Sequence, residues 1–235
     1  MGIKDNISKI KSTLPEGVTL IAVSKFHSVE TVKEAYDAGQ RIFGENRVRE
    51  LTAKQTALPE DIEWHFIGTL QTNKVKHIAP FVTMIHSVDS LKLMQEINRQ
   101  AEKCNRIIRV LVEVHIAGED SKHGFSVEEC KSLFSGDVLK QFANIQVRGL
   151  MGMATFTDNK EQIRREFGIL RKLFDEIRSS MMPDADRRHP VFRELSMGMS
   201  DDYQTAIEEG STMVRIGTGI FGARGYDTAV HGTNL

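Results

Sequence analysis

The chain is poor in the features that mark specialised proteins. Its 235 residues include two cysteines, one tryptophan and three tyrosines, and the formal net charge is −1. Cys104 and Cys130 both fall in segments with helical patterning, which excludes a disulfide framework and predicts a reduced, cytoplasmic setting. Neither has a second cysteine at zinc-knuckle spacing, and the eight histidines show no H-E-x-x-H or comparable pattern, so no metal site is expected. A balanced charge with scattered Lys and Arg argues against a nucleic-acid footprint. No apolar run approaches the roughly 20 residues of a membrane helix. The opening stretch MGIKDNISKIKSTLP lacks an apolar signal core, and Asn6 stands where a myristoylation motif needs Ser or Thr.

What remains is an ordinary globular composition, 40% hydrophobic and 27% charged, at a length that suits one domain over residues 1–235. Ile3, Ile7, Ile10 and Leu14 recur at helical spacing before Pro15, which predicts a helix over 3–13. Apolar strand-like runs follow at 18–24, 41–44, 63–67, 82–87, 108–116, 146–153, 192–197 and 212–216. Helical patterns separate them at 28–38, 46–56, 71–79, 89–103, 126–142, 159–180 and 201–209. Strict alternation of eight strands with helices predicts an α/β fold with a parallel sheet, closed as a (β/α)8 TIM barrel. A doubly wound open sheet is the alternative.

In such a barrel the chemistry sits at the C-terminal ends of the strands. The first strand-like run ends on a cation, Lys25, behind Ile21, Ala22 and Val23. A partly desolvated lysine there would be a nucleophilic amine able to form a Schiff base with an aldehyde. The plain alternative is a side chain that reaches out to solvent. The last strand runs into Gly217, Thr218 and Gly219, where the backbone can approach an anion closely, and Ser200 precedes a helical pattern at the neighbouring strand end. Loops after strands seven and eight commonly hold phosphate in these barrels. An amine on strand one and a phosphate grip on strands seven and eight become neighbours on closure, so a phosphorylated aldehyde such as pyridoxal 5′-phosphate (PLP) is the economical ligand. Arg215, on the last strand, is placed to face the pyridine nitrogen. His65 and His86 alternate with apolar residues and read as core groups. Met151 and Met199 are both candidates for the ligand wall.

The stretches AVSK, FGENRVRE, WHFIGTLQTNK, HSVDS, EDSKHGF, RGLMGMA, LSMGMSDDY and STMVRIGTGIFGAR span Ala22 to Arg224. With them the chain resembles the pyridoxal phosphate homeostasis protein family, and more distantly the alanine racemase N-terminal barrel. The resemblance implies that Lys25 carries PLP as a Schiff base. It implies that Ser200, Gly217 and Thr218 bind the phosphate, that Arg215 faces the ring nitrogen, and that Asn46 and Met199 line the ring. Lys122 matches a family lysine linked to a second PLP position. The implied role is PLP sequestration or delivery by a small, monomeric, cytoplasmic carrier, with PLP-dependent apo-enzymes as acceptors and no established turnover. Two other readings stay open: a weak PLP-dependent amino-acid racemase, and a class I aldolase that uses Lys25 without a cofactor.

Overall fold

The computed structural model describes residues 2–118, 123–181 and 192–222. Eight parallel strands close into one barrel in sequence order. They are β1 (Thr19–Val23), β2 (Ile42–Glu45), β3 (Glu63–Phe66), β4 (Met84–Val88), β5 (Ile108–Glu113), β6 (Ile145–Met151), β7 (Glu194–Ser196) and β8 (Met213–Ile216). The seam closes where β1 pairs with β8, from Thr19 opposite Met213 to Ala22 opposite Ile216. The predicted TIM barrel is the observed fold, and each strand-like run of the sequence overlaps one strand, with Glu45, Val88 and Ile145 extending β2, β4 and β6 one residue beyond it.

The helices follow from local signals. The first, α1 (Ile3–Thr13), has the predicted bounds. Ser28 caps α2 (Val29–Asp37) by accepting from Thr31 N, and Gly39, at φ 91°, supplies the left-handed residue just after it. After α3 (Val48–Ala57), the 71–79 pattern resolves into a 3-10 turn at Thr72–Lys74 and one helical turn, α4 (Val75–Ile78). Ser90 caps α5 (Leu91–Lys103), and Ser126 with Glu129 forms a capping box on α6 (Val127–Ser135). The 126–142 pattern therefore breaks at Gly136, a poor helix former, and resumes as a 3-10 turn at Val138–Gln141. The long α7 (Lys160–Met181) and α8 (Tyr203–Glu208) complete the ring. The glycine-rich stretch after β8, predicted as a loop, closes into a short helix, α9 (Thr218–Phe221).

Period-two alternation divides the barrel residues between two cores. Leu20, Ala22, Ile85, Val110, Val112, Leu150, Leu195, Val214 and Ile216 face outward into the large core beneath the helices. Ile21, Met84, Leu111, Met151 and Met213 form a separate small cluster inside the barrel. Met151 is thus a packing residue. Two residues further along, the inward positions change character: Ile21 leads to Val23 and Lys25, Met84 to His86, Leu111 to Glu113, and Met213 to Arg215 and Gly217. The barrel floor is apolar and its mouth polar.

The N-terminal helix belongs to this construction. Ile7 and Ile10 are buried in the outer core, and Asn6 Nδ2 donates to the carbonyl of Ile220 in α9 at 2.9 Å. Ile7 is 1% exposed. Ile7→Ala is expected to destabilise the fold by about 2–5 kcal/mol, read from the urea midpoint; an unchanged midpoint would separate α1 from the core.

Candidate functional site

Seven of the residues singled out in the sequence meet around one cavity of about 430 Å³ at the C-terminal end of the strands. Lys25, Asn46, Met199, Ser200, Arg215, Gly217 and Thr218 line it, together with Val23, Ile67, Gly68, Thr69, Ser87, Glu113, Met153 and Asp201. Glu113, Met153 and Ser87 carried no assignment in the sequence reading. Glu113 and Met153 are the inward positions two residues beyond Leu111 and Met151. Ser87 departs from that rule, because the β4–β5 register shifts between Ile85 and Val88. Lys122 and Tyr226 lie outside the described residues.

Lys25 is half-buried in the turn that follows β1. The next residue, Phe26, is held at φ 68°, a left-handed conformation that non-glycine residues seldom adopt. Its N–H donates to Glu50 Oε2 at 2.8 Å, and the Arg47 guanidinium stacks over its ring at 4.6 Å. Such strain persists only where surrounding structure imposes it. Directly beneath lies a buried ionic cluster. Lys54 Nζ donates to Glu45 Oε1 at 2.6 Å and to the Ser24 carbonyl at 2.7 Å, while Ser24 Oγ donates to the same Glu45 oxygen at 2.6 Å. Burial raises the Glu45 carboxyl above its ordinary value, and Lys54 opposes that shift. The cluster ties the end of β1 to β2 and α3, and so fixes the backbone from which Lys25 projects.

Across the mouth, Arg215 is 4% exposed. Its Nη1 donates to Ser196 Oγ at 2.6 Å and its Nη2 to the Gly152 carbonyl at 3.2 Å. Because Ser196 accepts from the guanidinium, its own proton is directed to His86 Nδ1, 3.0 Å away. His86 then carries its proton on Nε2 and donates to His65 Nδ1 at 2.9 Å. Burial lowers His65 to about 3 and His86 well below its ordinary value, so both are neutral. The two predicted core histidines are therefore the far end of a directional chain that orients Arg215. Burial also lowers Arg215, but only to about 10, and it stays cationic at neutral pH.

Ser200 is not a helix cap. Residues 200–202 form a turn, and α8 begins at Tyr203 with Asp202 as its N-cap. Ser200 Oγ instead accepts from the N–H groups of Gly217 and Gly219, at 3.3 and 3.4 Å. The β7 loop reaches this position through Gly198, at φ 95°, where a Cβ would come within 2.6 Å of the Ala206 Cβ. Glu113 faces Arg215 and Asp89. Burial, with the Asp89 charge, pushes its carboxyl up to about 7 despite Arg215 and His123. Asn46 Oδ1 is buried and has no hydrogen-bond partner among the described residues.

Two outcomes are expected. Lys54→Met strands Glu45 as an uncompensated buried carboxylate and should cost about 3–5 kcal/mol in urea unfolding, with Glu45→Gln added to it restoring part of the loss. Folding takes Glu113 from 4.5 to about 7, so this group costs stability progressively as pH rises through that window and by a constant amount above it. Glu113→Gln should gain stability over wild type between about pH 5 and about pH 8; a pH-independent difference would mean that the ionised carboxylate is well solvated.

Comparison with known proteins bears on the family and the fold. The family model for the alanine racemase N-terminal domain matches residues 2–225. A protein of Aquifex aeolicus named pyridoxal phosphate homeostasis protein is 43% identical over 208 residues, covering 88% of this chain and 87% of that one. The protein of that name from Escherichia coli K12 is 36% identical over 231 residues, covering 95% and 94%. The structure of PipY from Synechococcus elongatus with PLP bound is 36% identical with a TM-score of 0.80, covering 94% of this chain and 100% of that one. An alanine racemase of Clostridium difficile, at 17% identity and a TM-score of 0.77, shares the fold; this chain covers 58% of it. By sequence and by barrel, the chain belongs to the pyridoxal phosphate homeostasis protein family, built on the alanine racemase N-terminal domain.

Proposed function

We propose that this chain binds PLP in the mouth cavity and acts as a carrier that holds and releases it. The observation that carries the reading is the convergence on one cavity of an amine, Lys25, an anion grip at Ser200, Gly217 and Thr218, and a buried cation, Arg215. PLP, when bound, supplies an aldehyde that condenses with a primary amine and a phosphate that needs hydrogen-bond donors. The residues present suit it. The N–H groups of Gly217 and Gly219 already engage an oxygen, that of Ser200. The orphan acceptor Asn46 Oδ1 would be satisfied by a hydroxyl on a bound ring. Arg215, held by Ser196 and cationic at neutral pH, would keep a facing pyridine nitrogen unprotonated and so weaken electron withdrawal. That favours holding over turnover.

The relatives named for PLP homeostasis, and the PLP-bound PipY structure at 36% identity, support the same assignment. We take the chain to work as a cytoplasmic monomer that exchanges PLP with apo-enzymes. No described helix is long and apolar enough to cross a membrane.

A racemase reading has one observation in its favour. Glu113 shares the cavity with Lys25 and titrates near 7, so it is suited to moving a proton. The described tyrosines are committed elsewhere: Tyr36 donates to Asp61 at 2.7 Å, and Tyr203 lies 3.2 Å from Thr13 Oγ1.

The test is spectroscopic. Protein mixed with PLP should show a borohydride-reducible absorption band that maps to Lys25 and disappears in Lys25→Ala. Ser200→Ala and Thr218→Ala should each weaken retention about tenfold, as loss of one bond to a charged group predicts. A colourless protein that cleaves sugar phosphates would support the aldolase reading instead. Prolonged incubation of PLP-loaded protein with L-alanine in D2O should leave the α-proton in place; rapid α-deuteration would replace the carrier with a racemase.

A further inference from the structure

Two of the stretches quoted above, FGENRVRE and WHFIGTLQTNK, are only partly used by the mouth cavity, which takes Asn46, Ile67, Gly68 and Thr69 from them. Other residues of both stretches line a separate cleft. It has a volume of about 610 Å³, inside the roughly 300–1,000 Å³ usual for small-molecule sites. The loop after β2 and the start of α3 form one wall, the 3-10 turn after β3 forms the other, and the buried Phe66 contributes an apolar surface. Asn46 and Thr69 line both cavities and form their shared partition. Gly68 makes that partition thin, since a Cβ there would lie 2.5 Å from the Asn46 carbonyl oxygen.

The charge of the cleft is one-sided. Arg47, Arg49 and Lys74 line it with His77, and no carboxylate does. The nearby Glu50 does not neutralise them as a set. Its Oε2 accepts from Phe26 N, and only Arg47 approaches its Oε1, at 3.5 Å. Arg49 and Lys74 have no ion-pair partner among the described residues. The cleft also receives the first turn of α3, a ten-residue helix whose N-cap, Arg47, makes no side-chain capping bond. The Arg49 guanidinium and Lys74 ammonium, a helix N-terminus and a lining without carboxylates together set up a positive field in a concave space.

We propose that this cleft is a second ligand site, distinct from the mouth cavity, that takes a small polyanion: an organic phosphate or a di- or tricarboxylate. Arg49 and Lys74 supply the charge-assisted hydrogen bonds, the α3 N–H groups donate to a second oxyanion, and Phe66 and Val48 bound the apolar part of the ligand. Its position behind the Asn46–Thr69 partition lets occupancy act on the wall of the mouth cavity without competing for Ser200 or Gly217.

The test is calorimetric titration of the apo-protein at low salt, with pyrophosphate and with citrate as separate arms. Wild type should bind at least one of them at a saturable site that weakens as salt is raised. Binding of pyrophosphate alone identifies a phosphate ligand, and binding of citrate alone a carboxylate. The double variant Arg49→Gln/Lys74→Gln should lose affinity by about tenfold or more, while Ser200→Ala/Thr218→Ala should retain it. Both residues of the first variant lie outside the mouth cavity, so its PLP spectrum should match wild type. Absence of binding in wild type, or wild-type affinity in Arg49→Gln/Lys74→Gln, would overturn the proposal. Loss confined to Ser200→Ala/Thr218→Ala would place the anion in the mouth cavity and overturn it equally. The anion titrations do not require PLP to bind, so the proposal and the carrier function can fail separately.

Discussion

A guanidinium buried inside a barrel is the constraint from which the mouth of this protein is organised. Arg215 is removed from water, and an unpaired charge in that position would be prohibitive. Its donors are instead directed at Ser196 and the Gly152 carbonyl, and Glu113 and Asp202 supply opposing charge nearby. Ser196 meets that demand only by turning its proton toward His86, which in turn orders His65. One cation thus sets the tautomers of two histidines on strands three and four. The chain rigidifies the upper barrel without adding any further charge to it, because both rings are neutral.

The opposite side of the mouth is held by a different device. Lys25 rides on a turn pinned from below by Glu45 and Lys54 and from the side by Glu50. A buried ion pair of this kind contributes little net stability compared with an apolar replacement, but it strongly penalises displacement of either partner. Its role here is positional. It fixes the end of β1 against β2 and α3, and the strained Phe26 marks where the chain is forced to turn. The amine is therefore presented from a backbone held by rigid surroundings.

Between these two anchors the loops form two spaces rather than one. The mouth cavity gathers groups of mixed character: amine, carboxyl, guanidinium, hydroxyl and amide. The charged groups that line the adjoining cleft are all cations. Asn46 and Thr69 separate them, so the loops after β2 and β3 form walls of both. A barrel makes such an arrangement easy, since each strand end contributes an independent loop to a common rim.

Much of the fold was legible in the linear order of residues. Parallel strands covered on both faces read as short apolar runs, and the helices between them start at caps such as Ser28, Ser90 and Ser126, whose mechanism is confined to one turn. Lys25, Gly217 and Thr218 were legible as candidates for the same reason: a strand that ends on a cation or a glycine pair departs from what packing needs. The sequence could not reveal which face of each strand points inward, and this hid Glu113 and Met153 and left Met151 open. The β4–β5 register shift hid Ser87. Ser200 was found, but for a reason that does not hold, since its oxygen serves the backbone of another strand's loop and not its own helix. The path from Arg215 to His65 joins β8, β7, β4 and β3, and the cation-lined cleft joins two loops. The side chains of that path meet only when β8 pairs with β1 and the circle closes, while the cleft needs the pairing of β2 with β3. The sequence by itself determined the elements and their polarity, because those depend on neighbours a few positions away; tertiary structure decided which charges and protons face one another, because that depends on closure of the whole sheet.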